Sequence, residues 1–126
     1  MKKILLVDDD QDILVFLSKI LKRAKYEVIS AATAKEALRF AKGHRPDLII
    51  LDVLLPDMDG TDVAMNLAQD MDTQSIPVIF LTGLLPKEKQ ETVTSREIYI
   101  TIAKPVSKEE LLDAVNKALS GKFGKE

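Results

Sequence analysis

The sequence predicts an α/β fold, a doubly wound five-stranded parallel sheet in the order 2-1-3-4-5 with five helices on its two faces. Three observations predict it. Short unbroken apolar runs, ILLV, LIIL and VIFL, suit strands covered on both sides. The first two are followed by segments whose apolar residues recur at helical spacing, and right-handed crossovers leave few ways to connect such units. Two of the strands run directly into aspartates, which places acids along one edge of the sheet.

The elements follow in order. Ile4 to Val7 is strand one, and Ile13, Leu14, Phe16, Leu17, Ile20 and Leu21 give helix one its apolar stripe, with Asp10 and Asp12 as capping acids. Glu27 to Ala31 is strand two. Thr33 is placed to N-cap a helix carrying Ala34, Ala37, Leu38 and Ala41, with Gly43 as its stop. Asp47 to Leu51 is strand three, followed by Asp52 and the loop VLLPDMDG, in which Asp57 and Asp59 build a turn and Gly60 lends backbone freedom. Helix three carries Val63, Ala64, Leu67 and Ala68. Pro77 to Leu81 is strand four, ended by Thr82 and Gly83, and Pro86 opens a fourth helix reaching about Thr94. Ile98 to Ala103 is strand five. After Lys104 and Pro105, Ser107 and Glu110 form the capping box of a fifth helix that buries Leu111, Leu112, Val115 and Leu119 and stops at Gly121. One domain over residues 1–121 and a frayed tail over 122–126 are expected.

Composition narrows the function classes. The 126 residues carry 18 Lys and Arg against 20 Asp and Glu, a net charge of -2, so no basic field exists to hold nucleic acid. Cysteine is absent, which excludes disulfides, thiolate metal sites and thiol nucleophiles. The apolar start is cut too short by acids to serve as a signal peptide or membrane span, so a soluble, cytoplasmic protein is expected. The single histidine, His44, stands beside Arg45 and Pro46 with no partner ligand and reads as a surface loop residue.

The strand ends carry the chemistry. In doubly wound sheets ligands bind at the carboxyl edge, near the switch point between strands one and three. There the sequence places Asp8 and Asp9 after strand one, Asp52 after strand three, Thr82 after strand four and Lys104 after strand five. Three crowded carboxylates repel one another unless a cation joins them, and hard oxygen donors suit Mg²⁺ (or Mn²⁺). Such an ion bridges carboxylates to a phosphoryl group, whose remaining oxygens a lysine and a hydroxyl can hold. The constellation therefore predicts phosphoryl transfer. The first loop offers acids where a flavin or nucleotide binder offers glycines and hydroxyls, and neither GxGxxG nor GxxxxGK[ST] occurs.

Taken together, ILLVDDD, DLIILDVLLPDMDG, PVIFLTG and IAKP resemble the receiver domain of two-component response regulators, over essentially the whole chain. That family has the flavodoxin-like sheet predicted above. The resemblance implies Asp52 as phosphoacceptor, Asp8 and Asp9 as metal-site acids, Leu54 as a backbone carbonyl ligand, Thr82 as the switch hydroxyl and Lys104 as the phosphoryl-binding lysine. It also implies a cis peptide between Lys104 and Pro105. The implied partners are a sensor histidine kinase or histidine phosphotransfer protein as donor, a downstream protein on the face of helix four, strand five and helix five, and a second copy in a phosphorylation-dependent homodimer. The domain would signal rather than turn over substrate, catalysing only its own phosphorylation and dephosphorylation. An unphosphorylated docking module of the same fold is the competing expectation.

The sequence also departs from the family pattern. The position three before the lysine, usually aromatic, is Thr101, and Tyr99, on the same face of strand five, is the expected substitute in sensing. Leu54 and Leu84, two residues past the acceptor and two past the switch hydroxyl, cannot orient a water, so slow hydrolysis of the phosphoaspartate is expected.

Overall fold

The computed structural model describes residues 1–83 and 99–120. Five parallel strands, β1 (Lys3–Val7), β2 (Glu27–Ala31), β3 (Leu48–Asp52), β4 (Val78–Thr82) and β5 (Tyr99–Ala103), form one sheet in the order β2-β1-β3-β4-β5. The helices are α1 (Gln11–Arg23), α2 (Ala34–His44), α3 (Gly60–Gln69) and α4 (Lys108–Ser120). The helix expected between Pro86 and Thr94, the stop at Gly121 and the tail over 122–126 lie outside the described residues.

Strand alternation divides the core in two. Leu5, Val7, Ile49, Leu51, Val78 and Phe80 face α2 and α3, while Ile4, Leu6, Leu48, Ile50, Ile79 and Leu81 face α1 and α4. The three central strands are therefore buried on both sides, as their unbroken apolar runs require.

The helix starts agree with the expected caps. Asp10 accepts from the N–H groups of Asp12 and Ile13, and Thr33 accepts from that of Glu36. The Ser107 hydroxyl accepts from the Glu110 N–H while Glu110 accepts from the Ser107 N–H, closing the capping box.

Other local expectations are corrected. Gly43 lies inside α2, and the helix ends at His44 with Arg45 as its C-cap in a left-handed conformation, φ 50°. Phe16 is half exposed rather than buried, because the α1 stripe that meets the sheet is Leu14, Leu17 and Leu21.

Gly60 begins α3, with Asp59 as its N-cap, and serves close approach rather than a turn. A Cβ at Gly60 would collide with the carbonyl oxygen of Asp52 and stand 2.8 Å from Val53 Cα. Helix α3 is thereby drawn against the end of β3, with the Gly60 N–H donating to Val53 O at 2.6 Å.

Candidate functional site

The carboxyl edge gathers the residues that the sequence places at its strand ends. Asp8 follows β1, where its N–H donates to Ala31 O at 3.1 Å, and it is fully buried. Asp52 ends β3, 6% exposed. Thr82 ends β4, buried, and its carbonyl accepts the Lys104 N–H at 2.8 Å, which fixes the start of the lysine. The Lys104–Pro105 bond is cis.

Side chains then converge. Lys104 Nζ donates to Asp8 Oδ2 at 2.9 Å and lies 3.4 Å from Asp52 Oδ2. The other oxygens are held by backbone, Asp8 Oδ1 by the Asp10 N–H at 2.9 Å and Asp52 Oδ1 by the Leu54 N–H at 3.2 Å. Asp8, Asp9 and Asp52 each bring one carboxylate oxygen within 4.8 Å of the others. Of the three, Asp9 is the exposed member. These three acids against one lysine leave an excess of two negative charges. An all-oxygen donor set with that deficit fits a divalent ion such as Mg²⁺.

Electrostatics follow from burial. Burial pushes the Asp52 carboxyl above the usual carboxylate range and the charge of Asp8 adds to this, against the pull of Lys104 and the Leu54 N–H. For Lys104, burial works toward a lower value, but the hydrogen bond to Asp8 and the charges of Asp52 and Asp8 outweigh it and hold the ammonium above its ordinary range. The lysine is thus a permanent cation set between two acids.

Residues outside this cluster are also placed. Leu54 has an exposed side chain and pairs with Asp59 in an isolated bridge. In the β4–β5 register Tyr99 pairs with Val78 and Thr101 with Phe80, so Thr101 lies on the sheet face that carries Phe80. Thr101 Oγ1 is buried with no hydrogen-bond partner among the described residues. Leu84 is outside the described residues. His44 is exposed and packs edge-on against Phe40, and among the described residues it belongs to no cluster of metal-ligating side chains.

Two features escaped the sequence reading. Asp57 reaches back to the start of α2 instead of closing a turn. A groove of about 340 Å³, lined by Ile13, Phe16, Lys104, Pro105 and Val106, opens beside the lysine. The first had a signal, since PDMDG holds one more acid than its turn and cap require; the second had none beyond Phe16 standing at the margin of its helical stripe.

Comparison with known proteins decides the family, for the sequence matches the response regulator receiver domain over residues 4–116. The chain belongs to that family. The receiver domain is 44% identical over 82 residues to the alkaline phosphatase synthesis transcriptional regulatory protein PhoP of Bacillus subtilis (strain 168), a match covering 65% of this chain and 33% of that protein. This chain thus matches about a third of that regulator's length. Among solved structures, the receiver resembles the chemotaxis protein CheY4 of Vibrio cholerae at TM-score 0.88 and 33% identity, covering 94% of this chain and 99% of the other. It also resembles the receiver domain of the sensor histidine kinase PA1611 from Pseudomonas aeruginosa PAO1, at TM-score 0.85 and 25% identity over 94% and 98% of the two chains. That structure holds a magnesium ion coordinated in the active site cleft. Among the described residues of the present receiver, no helix is long and apolar enough to cross a membrane.

Proposed function

We propose that this receiver is a phosphoacceptor in which Asp52 takes a phosphoryl group from a phosphohistidine of a sensor kinase or phosphotransfer protein. The observation that supports it most is the placement of Lys104 Nζ between Asp8 and Asp52 beside a triad of carboxylate oxygens. Asp8, Asp9 and Asp52, with the Leu54 carbonyl, would hold a divalent ion, which when bound neutralises charge on the phosphoryl oxygens.

Asp52 acts as the nucleophile through Oδ2, the oxygen not engaged by the Leu54 N–H. The new O–P bond forms as the N–P bond of the donor breaks, and the imidazole leaves with the electron pair of that bond and takes up a proton. Lys104, kept charged by its two acids, transfers its hydrogen bonds to the incoming phosphoryl oxygens. Thr82 supplies a hydroxyl at the neighbouring strand end. Movement of Thr82 toward the phosphoryl group then biases the face that includes β5 and α4, with Tyr99 and Thr101 as readout positions, toward a downstream partner or a second copy. Leu54 brings no group able to orient water, which favours a long-lived acyl phosphate.

The groove beside Lys104 gives a donor protein an apolar surface next to the acceptor, with Phe16 and Pro105 on its walls. A cytoplasmic location accords with such donors.

Incubation with acetyl phosphate and Mg²⁺, followed by intact mass measurement, tests the proposal. Wild type should gain one phosphoryl mass and Asp52→Asn none. No gain in wild type would replace this reading with that of an unphosphorylated docking module.

A further inference from the structure

The loop from β3 to α3 is fastened at three points, and only two of them are local. At its start the Leu54 N–H donates to Asp52 Oδ1, and at its end the Gly60 N–H donates to Val53 O while Leu54 pairs with Asp59. The third point lies in another element. Asp57 is exposed, yet both of its oxygens are engaged, Oδ1 by the Ala34 N–H at 2.8 Å and Oδ2 by the Lys35 N–H at 3.1 Å.

Those two N–H groups open α2 and have no acceptor within the helix, and Thr33 serves only the next one, Glu36. A carboxylate set there receives two charge-assisted bonds at the positive end of a helix. The Ala34 N–H is the main reason the Asp57 carboxyl is held below the usual carboxylate range. On either side of Asp57, Leu55 and Met58 pack against the core shared by α2 and α3. The middle of the loop is therefore tied to α2 by one polar clamp flanked by apolar contacts.

We infer that Asp57 is a positioning residue for the site: by clamping the loop onto α2 it keeps the Leu54 N–H on Asp52 Oδ1 and the Leu54 carbonyl in place for a metal ion. The metal-related half of this rests on the phosphoacceptor reading above. A plain helix cap would stabilise α2 without acting on Leu54, and the two roles separate experimentally.

The full chain in EDTA, followed by amide hydrogen exchange, compares Asp57→Ala with Thr33→Val, which removes a cap from the same helix end and leaves the loop fastened. In Asp57→Ala the Leu54 and Gly60 amides should exchange about tenfold faster than in wild type, and in Thr33→Val they should not change. Asp57→Asn retains one acceptor oxygen and should fall between, which keeps the comparison available if the alanine variant folds poorly. Unchanged Leu54 and Gly60 exchange in both Asp57 variants, or equal acceleration in Thr33→Val, would overturn the clamp. In a Mg²⁺ titration the Kd should weaken about tenfold in Asp57→Ala and stay unchanged in Thr33→Val, by analogy with outer residues that orient ligands. An unaltered Kd would overturn the metal-related half. A wild type that takes up no Mg²⁺ would refute the phosphoacceptor reading instead, while exchange in EDTA still decides the clamp.

Discussion

Asp52 is held in a form that is costly without its ligands. Its folded carboxyl binds protons more tightly than an unfolded aspartate, because burial and then Asp8 raise its value. As pH climbs through the window between the two, the folded state loses stability relative to the unfolded one, and the loss is complete once the pH exceeds the folded value. Asp52→Asn removes that cost, keeps an oxygen for the Leu54 N–H, and leaves Lys104 its bond to Asp8. In EDTA at neutral pH the asparagine variant should therefore melt above wild type. The difference should close as pH falls to the ordinary carboxylate range, as read by calorimetry across pH. A variant that melts below wild type at neutral pH would show that the Lys104 pair outweighs the burial.

Among elements, the join of β3 to α3 decides how accurately Asp52 is placed. Gly60→Ala should destabilise the fold by about 1–3 kcal/mol through overpacking against rigid backbone, measured by urea unfolding. It should also lower phosphorylation by acetyl phosphate, since the carbonyl that a Cβ would displace belongs to Asp52 itself. Gly43→Ala gives the control, because among the described residues nothing beyond its own helix backbone and chain neighbours lies within 4 Å of a Cβ there.

The same join marks the limit of what the sequence made legible. Strands β1, β3 and β4 were readable because burial on both faces demands uninterrupted apolar runs, and the caps at Asp10, Thr33 and Ser107 because each serves donors a few residues away. Asp8, Asp52, Thr82 and Lys104 were readable as strand ends that a parallel sheet must bring to one edge. The partner of Asp57 is 23 residues away from it, at Ala34, and the neighbour of Gly60 is a backbone carbonyl, so neither leaves a local pattern. Arg45 was missed for a different reason: a left-handed helix end favours glycine without requiring it, and the chain passes Gly43 to use an arginine.

Across the whole molecule, the excess negative charge at one edge of the sheet would, on the proposed reading, couple folding to a bound divalent ion. Mg²⁺ at a hundred times its Kd should add about 2.7 kcal/mol to stability by mass action, seen as a rise in Tm that EDTA reverses. Asp8→Asn combined with Asp9→Asn should abolish the rise. A Tm indifferent to Mg²⁺ in wild type would mean that Lys104 alone balances the three acids. The alkaline-phosphatase regulator from Bacillus subtilis is about three times as long as the stretch it shares with this receiver, so comparing Mg²⁺ responses is meaningful for the shared stretch alone.

The opposite rim of the sheet holds a different kind of reserve. Lys25 and Arg45, with φ of 76° and 50°, adopt left-handed conformations just before β2 and β3 begin. L-residues pay for that geometry, and glycine does not. Lys25→Gly and Arg45→Gly should each gain about 0.5 kcal/mol after the added freedom of the unfolded chain is counted, and both lie at the end of the sheet away from Asp52. For an engineer, the amino rim is thus a place to make the protein hardier while the acidic edge that holds Asp52 is left alone.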